Sequence, residues 1–301
     1  MASGTRISEE EKKTRLERIK ELAVIGMFSD DTLMETLVLK GGNALDLIYK
    51  LSARASVDVD FSMQADFPGG LEALRTKVQL SLTQTYAEAG LRAFDFKVED
   101  RPAAISETLK PFWGGYGIEF KLIEEAKYKT FSEDLEALRR NAIDLGKGTK
   151  FLIDVSRFEH LGDRVERDFH GYVVFVYSPE MILAEKLRAL CQQMKEYGPI
   201  VNRERPGASR ARDFVDIYLI ATQGGVDMTT TKNRNLLENV FKAKRVPLDF
   251  LNLLPQYKAF HEASFDSVKD TLKSGHELHG FDFYFSFVVD LINKLESSRD
   301  I

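Results

Sequence analysis

The hydrophobic periodicity of this chain changes once, at Ser178-Pro179, and this change constrains the fold more than any other feature. Before this point, short β-prone runs alternate with helical patterns; after it, apolar residues recur only at helical spacing. Ser178 is a good helix cap, Pro179 suits the first helical position, and Glu180 suits the positive end of the helix dipole. These patterns predict an α+β fold, with a mixed β-sheet domain and its helices over 1–177 and an all-helical domain over 178–301.

Turn signals and periodicity also predict the individual elements. Ser8 and Glu11 form a capping-box pattern that opens a first helix. Leu37-Val38-Leu39 is a short apolar strand that runs into a Lys-Gly-Gly turn and then a helical pattern. The remaining predicted strands are 57–61, 91–98, 117–123, 151–156 and 172–177, and the remaining predicted helices are 70–89, 132–142, 178–194, 214–221, 236–242, 248–260 and 285–295.

Composition limits the class of protein. The chain has 301 residues, 42 basic and 47 acidic, for a formal charge of −5, which argues against a general nucleic-acid coating protein. Its single cysteine, Cys191, excludes a disulfide framework. The charged N-terminus does not resemble a signal peptide, and no run of about 18 apolar residues predicts a membrane span. We therefore expect a cytoplasmic protein without a membrane partner.

Two aspartates stand out in the alternating run Val57-Asp58-Val59-Asp60-Phe61. On a strand, this spacing places both carboxylates on one face, where oxygen ligands suit hard divalent cations. Asp-x-Asp is by itself more often solvated surface than a metal site. The context favours the metal site, because Gly41-Gly42 opens a helix whose backbone N–H groups suit phosphate oxygens, and because Asp154 lies in an apolar strand where we expect it to be buried.

Five segments in order resemble one known family. The runs 39–45 and 54–61 are similar to the first motif of the AbiEii/AbiGii toxin family of nucleotidyltransferases, in the DNA polymerase β-like superfamily. Ile153-Asp154-Val155-Ser156 resembles the strand with the third carboxylate of the superfamily. The segment 178–190 resembles the helix with the family's lysine, and 212–218 resembles its Arg-Asp-x-x-Asp helix. An ordered set of five motifs is far more specific than any one of them.

The resemblance implies a role for each matching residue. Asp58, Asp60 and Asp154 would bind Mg²⁺ or Mn²⁺, and Asp154 would help to activate the acceptor hydroxyl. Lys186 would contact the triphosphate, and Asp213 would be an essential acid close to it. The nucleotide-binding residues implied by the motifs are Gly41, Gly42, Asn43, Arg54, Ser56 and Lys186.

The implied reaction is transfer of a nucleoside monophosphate from a nucleoside triphosphate to an acceptor hydroxyl, with RNA as a candidate acceptor. The implied role is that of a toxin in a bacterial toxin–antitoxin or phage-defence system, with a cognate antitoxin as partner. Gly42 stands where polymerase-type members usually have serine, and the segment 191–212 is longer than the usual connection. A catalytically silent protein that binds a nucleotide or a partner with the same fold therefore remains the alternative.

Three features have two interpretations each. Lys186 lies at the edge of the apolar stripe of its helix, so it points either into an interdomain cleft or to bulk water. Arg203, Arg205, Arg210 and Arg212 form either a solvated loop or a guide for a polyanionic acceptor. Trp113 precedes a Gly-Gly turn, where a buried aromatic is more common than a base-stacking platform.

Overall fold

The computed structural model describes residues 8–51, 58–146, 148–269 and 278–297, and it has the predicted α+β fold. Its strands are β1 (Val38–Leu39), β2 (Val59–Ser62), β3 (Leu91–Arg101), β4 (Gly115–Glu124), β5 (Lys150–Ser156), β6 (Val165–Phe169) and β7 (Tyr172–Val176). Its α-helices are α1 (Glu9–Phe28), α2 (Asp31–Thr36), α3 (Gly41–Asn43), α4 (Gly70–Glu88), α5 (Glu125–Phe131), α6 (Leu135–Arg140), α7 (Pro179–Gln192), α8 (Ala211–Thr222), α9 (Thr231–Ala243), α10 (Lys258–Glu262), α11 (Asp266–Lys269) and α12 (Phe281–Ser297). A π-helix covers Ala44–Ile48, and 3₁₀ helices cover Lys195–Val201 and Leu248–Tyr257.

The seven strands form one mixed sheet in the order β3-β4-β5-β2-β1-β7-β6. β2 pairs with β5 in parallel and with β1 in antiparallel, so the short central strands bring distant parts of the sequence together. α1 and α4 pack against each other and contact the sheet at β2, β3 and β7. Tyr86, Phe120 and Phe151 join α4 to this sheet through ring contacts of 5.3 to 5.7 Å between centroids.

After β7, the described residues form helices and the loops that connect them, with no further strand. α7 begins as predicted: the Ser178 hydroxyl accepts a hydrogen bond from the Met181 N–H, and Pro179 occupies the first turn. α7 then packs on α8 and α9. One continuous hydrophobic core, which extends from Ile19 to Leu295, joins these helices to the sheet. The helices thereby hold their polar side chains against the ends of β2 and β5.

A β-bulge interrupts the edge strand β3. The register with β4 shifts between Phe94 and Lys97, and Asp95 takes a left-handed backbone conformation with φ of 57°. Arg139 donates to the Asp95 carboxylate at 2.6 and 2.8 Å, and Lys121 donates to it at 2.7 Å. Hydrogen bonding by Arg139, with help from Lys121, lowers the pKa of Asp95 to about 2. The bulge is therefore fixed by ion pairs to a neighbouring strand and helix.

No helix in the described ranges is long and apolar enough to cross a lipid bilayer.

Candidate active site

A cleft of about 610 Å³ lies where the helices meet the ends of the central strands. This volume is in the range of small-molecule sites. The cleft collects most of the residues singled out from the sequence, although they come from separate segments. They are Gly41, Gly42, Asp58, Asp60, Asp154, Lys186 and Asp213.

Asp60 and Asp154 are neighbours because β2 and β5 pair in parallel with these two residues in register. Asp58 lines the same cleft but immediately precedes β2, whereas a strand starting at residue 57 was expected. Burial raises the pKa of Asp60 to about 6; Lys40 opposes this shift, and Glu185, Asp154 and Asp58 add to it. Negative charge is therefore crowded at Asp60, which is the environment that a divalent cation would relieve.

Asp154 is not buried, contrary to the expectation from its apolar neighbours. Its side chain is 42% exposed in the cleft, and its Oδ1 accepts a hydrogen bond from Arg101 at 2.8 Å. Alternation explains the error, since Ile153 and Val155 are buried and Asp154 faces the other way. Gly117 leaves room for Arg101, because a Cβ there would lie 2.0 Å from the Arg101 Nε.

The carboxylates are not gathered around a single point in this conformation. In the described parts of the chain, no group of three Asp, Glu, His or Cys side chains has an arrangement that would hold a metal ion. The pairing of Asp154 with Arg101 accounts for part of this, because it directs that carboxylate to a cation of the protein. Asp58 and Asp60 supply the oxygen donors that hard cations prefer, and Asp154 would complete the set once it leaves Arg101.

The glycine turn stands directly over Asp60. Gly41 has φ of +64°, and a Cβ at this position would lie 3.6 Å from the Asp60 Oδ2, so glycine both permits the turn and keeps the space open. Gly42 also lines the cleft.

Asn43 is placed differently from the sequence expectation. Its side chain is fully buried and is absent from the cleft lining; its amide donates to the Asp58 carbonyl at 2.5 Å. It therefore holds the backbone of Asp58, and contact with phosphate would require the side chain to move. Arg54 and Ser56, also expected to bind nucleotide, lie outside the described residues.

Lys186 is buried in an ion-pair cluster at the other side of the cleft. Its Nζ lies 3.1 Å from the Asp213 Oδ1 and 2.6 Å from the Asp216 Oδ2, and its side chain is 8% exposed. This excludes the interpretation in which it extends into bulk water. Arg210 also donates to Asp213. Burial acts to raise the pKa of Asp213, but the charges of Arg210 and Lys186 outweigh it and hold that pKa well below the usual range.

A buried chain of charges at the cleft floor was not recognised in the sequence. The Lys40 Nζ lies 2.9 Å from Glu185, and the Glu159 carboxylate contacts Arg188 at 2.7 Å and Lys244 at 3.4 Å. Arg188 and Glu185, at 3.6 Å, join the two groups. Glu185 and Arg188 flank Lys186 in the sequence and could have been noted as helix neighbours. Glu159 and Lys244 lie on distant segments, and no local pattern marks them.

The four arginines of 203–212 separate into two kinds. Arg203 donates to the backbone carbonyls of Gln192 and Met194 at 2.7 and 3.2 Å, and Arg210 binds Asp213. Arg205 and Arg212 are exposed, and Arg212 lines the cleft. The interpretation of all four as guides for an acceptor is therefore too broad.

Trp113 is half-buried and lines the cleft, so it is not the fully buried aromatic that its position favoured. The Lys244 Nζ lies over its ring, 5.8 Å from the centroid, and the ring of Tyr197 lies 6.1 Å away.

A comparison with family models identifies the family of the chain. A family model described as the nucleotidyl transferase AbiEii toxin of a type IV toxin–antitoxin system matches residues 24–286. A search of curated proteins finds no match.

Solved structures also resemble the chain. JHP933 from Helicobacter pylori is 15% identical with a TM-score of 0.50, over 98% of this chain and 97% of that one. A putative nucleotidyltransferase from H. pylori is 16% identical with a TM-score of 0.49, over 97% and 98% of the two chains. The nucleotidyltransferase toxin MenT4 from Mycobacterium tuberculosis is 14% identical with a TM-score of 0.42, over 98% and 88%. At such identities, the likeness to JHP933 concerns the fold alone.

Proposed function

The chain belongs to the AbiEii family of nucleotidyltransferase toxins, and from this premise we propose that it transfers a nucleoside monophosphate to an acceptor hydroxyl in a metal-dependent reaction. The acceptor oxygen attacks the α-phosphorus of a nucleoside triphosphate, the bond to the bridging oxygen breaks, and pyrophosphate leaves. Asp154 accepts the proton of the attacking hydroxyl. In-line positioning and neutralisation of charge supply most of the acceleration in such chemistry.

The pairing of Asp60 with Asp154 across β2 and β5 is the observation that supports the proposal most directly. It sets two carboxylates side by side under the Gly41 turn, with Asp58 in the same cleft. Asp58, Asp60 and Asp154 are the residues that would hold Mg²⁺ or Mn²⁺. A bound divalent ion would polarise phosphoryl oxygens and neutralise developing charge.

The other cleft residues take the tasks of binding and orientation. The backbone N–H groups at Gly41 and Gly42 receive phosphate oxygens. Lys186 supplies positive charge to the triphosphate, while Asp213 and Asp216 hold its ammonium in place. A bound divalent cation would compete with the Arg101 guanidinium for the Asp154 carboxylate, so Arg101 would be released from Asp154 in the nucleotide complex.

RNA is the acceptor that we propose, with Arg205 and Arg212 as its exposed contacts. Arg205 lies in the segment that precedes α8, and Arg212 lies in the first turn of α8 and lines the cleft itself. We place the reaction in the cytoplasm, where nucleoside triphosphates and RNA occur together. The family implies a cognate antitoxin, and a role in defence against phage is consistent with a toxin that modifies RNA.

Transfer of label tests the proposed activity. The protein is incubated with each α-labelled nucleoside triphosphate, Mg²⁺ or Mn²⁺, and total cellular RNA. We expect label in RNA and release of pyrophosphate, both lost in Asp60→Asn. Binding of triphosphate without transfer to RNA, protein or small hydroxyl compounds would instead support the alternative, a catalytically silent binding protein. This alternative stays open because Gly42 stands where polymerase-type members usually have serine.

A further inference from the structure

The loop that carries Trp113 lines the same cleft as the carboxylates. We propose that the indole ring of Trp113 is the platform on which the base of the nucleoside triphosphate stacks, an inference that rests on the proposed function. Stacking on an aromatic ring suits every nucleobase, because each has a π face. The phosphates would lie at the Gly41 turn and Asp60, and the base would lie on the Trp113 ring.

The surroundings of Trp113 hold its ring in a fixed place. Lys244, buried at the cleft floor, lies over the ring at 5.8 Å, and Tyr197 braces it at 6.1 Å. The Tyr197 hydroxyl in turn donates to the Lys244 carbonyl at 2.7 Å. The indole is half-buried, so part of its surface remains open to the cleft. A preorganised ring of this kind costs little entropy when a base stacks on it.

The loop after Trp113 brings the ring close to the strand of Asp154. Gly114 has φ of +117°, and its carbonyl accepts a hydrogen bond from the Arg157 N–H at 2.9 Å. A Cβ at Gly115 would lie 2.2 Å from the Val155 carbonyl oxygen, so only glycine allows this approach. Trp113 is thereby anchored beside the end of β5, the strand that carries Asp154.

Tyr116 is the other aromatic ring in the cleft lining of the described chain, and it cannot serve as the platform. It is 2% exposed, its hydroxyl donates to Asp66, and the Arg157 guanidinium lies over its ring at 4.7 Å. At this exposure, a base could not reach the face of the Tyr116 ring, whereas the Trp113 ring is half-buried. Trp113 is thus the ring that remains available.

The inference can be tested by fluorescence because Trp113 is the only tryptophan of the chain. The wild-type protein is titrated with the four nucleoside triphosphates, and separately with inorganic tripolyphosphate, with Ca²⁺ in place of Mg²⁺ to suppress turnover. Calorimetry measures binding in parallel. We expect the preferred nucleotide to quench the Trp113 emission and tripolyphosphate to bind without comparable quenching. Equal quenching by both ligands would overturn the proposal.

Variants separate the base contact from the phosphate contact. Trp113→Leu should weaken nucleotide binding by roughly five- to a hundredfold and leave tripolyphosphate binding unchanged, whereas Trp113→Phe should lose less. Tyr172→Leu, at an exposed aromatic of β7, is the control and should change neither. Unchanged nucleotide affinity in Trp113→Leu would remove the platform but leave the proposed function intact. Absence of any triphosphate binding by the wild type would instead overturn the proposed function, and this inference with it.

Discussion

Asp60 is the carboxylate on which the proposed chemistry depends most directly, because it faces Gly41 and pairs in register with Asp154. Asp60→Asn keeps the shape of the side chain and removes the charge that would bind a cation. We expect the rate of transfer to fall by at least about a hundredfold at matched Mg²⁺. Thermal stability should not fall, since burial and neighbouring carboxylates already disfavour the charge of Asp60.

Asp290→Asn is the matched control for this experiment. Asp290 is exposed on α12, so the same chemical change there should leave both transfer and stability at the wild-type values. Transfer in Asp60→Asn that equals the rate in the control variant would exclude the metal-binding role of Asp60.

Lys244 should give the protein a measurable pH dependence. Burial lowers its pKa to about 8, with further repulsion from Arg188 and Lys40 and an opposing attraction from Glu159. Between pH 8 and the unfolded value of 10.5, the native state has released the proton while the unfolded state keeps it, so raising the pH favours the native state. Relative to Lys244→Met, the wild type should therefore gain stability as the pH rises through this window, by at most about 3 kcal/mol.

Urea unfolding of the wild type and of Lys244→Met at about pH 7.5 and about pH 9.5 measures this change, because these two values lie on either side of the lowered pKa. The difference between the two proteins cancels the titration of other groups. A gap that stays constant or moves in favour of Lys244→Met would show that Glu159 holds the ammonium charged through this range.

Individual site residues were predictable to the extent that their chemistry is local. The spacing of Asp58 and Asp60 and the apolar run around Asp154 identify these carboxylates as candidate ligands from the sequence, and Gly41 identifies the turn before the helix. Glu159 and Lys244 gave no such signal, because their significance comes from a contact of 3.4 Å between distant segments. The partner of Asp154, Arg101, was missed for the same reason.

Lys186 connects α7 to α8, and its substitution should affect stability as well as activity. The sequence left two surroundings open for Lys186, an interdomain cleft or bulk water, and the structure places it against two buried carboxylates. Lys186→Met would leave these carboxylates without this partner, which costs about 3 to 5 kcal/mol when a buried ion pair is broken. We therefore expect a large fall in the unfolding free energy, together with loss of transfer.

A second substitution separates the two effects of Lys186. Lys186→Met combined with Asp216→Asn removes one of the two buried charges and should regain part of the stability, while transfer stays lost. Lys195→Met is the control, since Lys195 is 73% exposed and lies on the 3₁₀ helix that follows α7 instead of on α7 itself. If Lys186→Met were as stable as this control, the ion-pair cluster would contribute nothing to the packing of α7 on α8.

Elements with strong periodicity or clear caps were predicted close to their observed bounds, and the others were not. α4 and α7 follow this rule, because Gly70 and Ser178-Pro179 define where they begin. β6 was missed because three of its five residues, in one run, are charged and exposed, so it lacks an alternating pattern. The predicted helix over 248–260 is a 3₁₀ helix followed by α10, with Pro255 removing a backbone donor inside it.

The two parts of the chain, 1–177 and 178–301, should unfold together. A continuous core joins the sheet to the helices. A buried chain of charges also crosses from one part to the other, and its members are Lys40, Glu185, Arg188, Glu159 and Lys244. Separation would expose these groups, so neither part is expected to be stable alone. Urea unfolding followed by Trp113 emission and by far-ultraviolet circular dichroism should give the same midpoint; two separated midpoints would indicate independent domains.

The salt dependence of RNA affinity should come in part from two exposed arginines. Arg205 and Arg212 are exposed, whereas Arg203 and Arg210 are bonded within the protein. Replacing Arg205 and Arg212 by serine should reduce the slope of log affinity against log salt by about 1.4, at about 0.7 for each phosphate contact to a single strand. The control pair, Arg18→Ser and Arg140→Ser, removes exposed charges of α1 and α6, and the slope should not change. Equal slopes in the two double variants would show that Arg205 and Arg212 are ordinary solvated residues.

The bulge at Asp95 has a consequence for how the molecule behaves in a crowded cell. β3 is a long strand at the border of the sheet, and such a border offers unpaired N–H and C=O groups to any passing strand of another chain. The left-handed turn at Asp95 breaks the straight row of these groups, and the ion pairs with Arg139 and Lys121 prevent it from flattening. The same carboxylate that shapes one strand thus protects the protein against edge-to-edge aggregation.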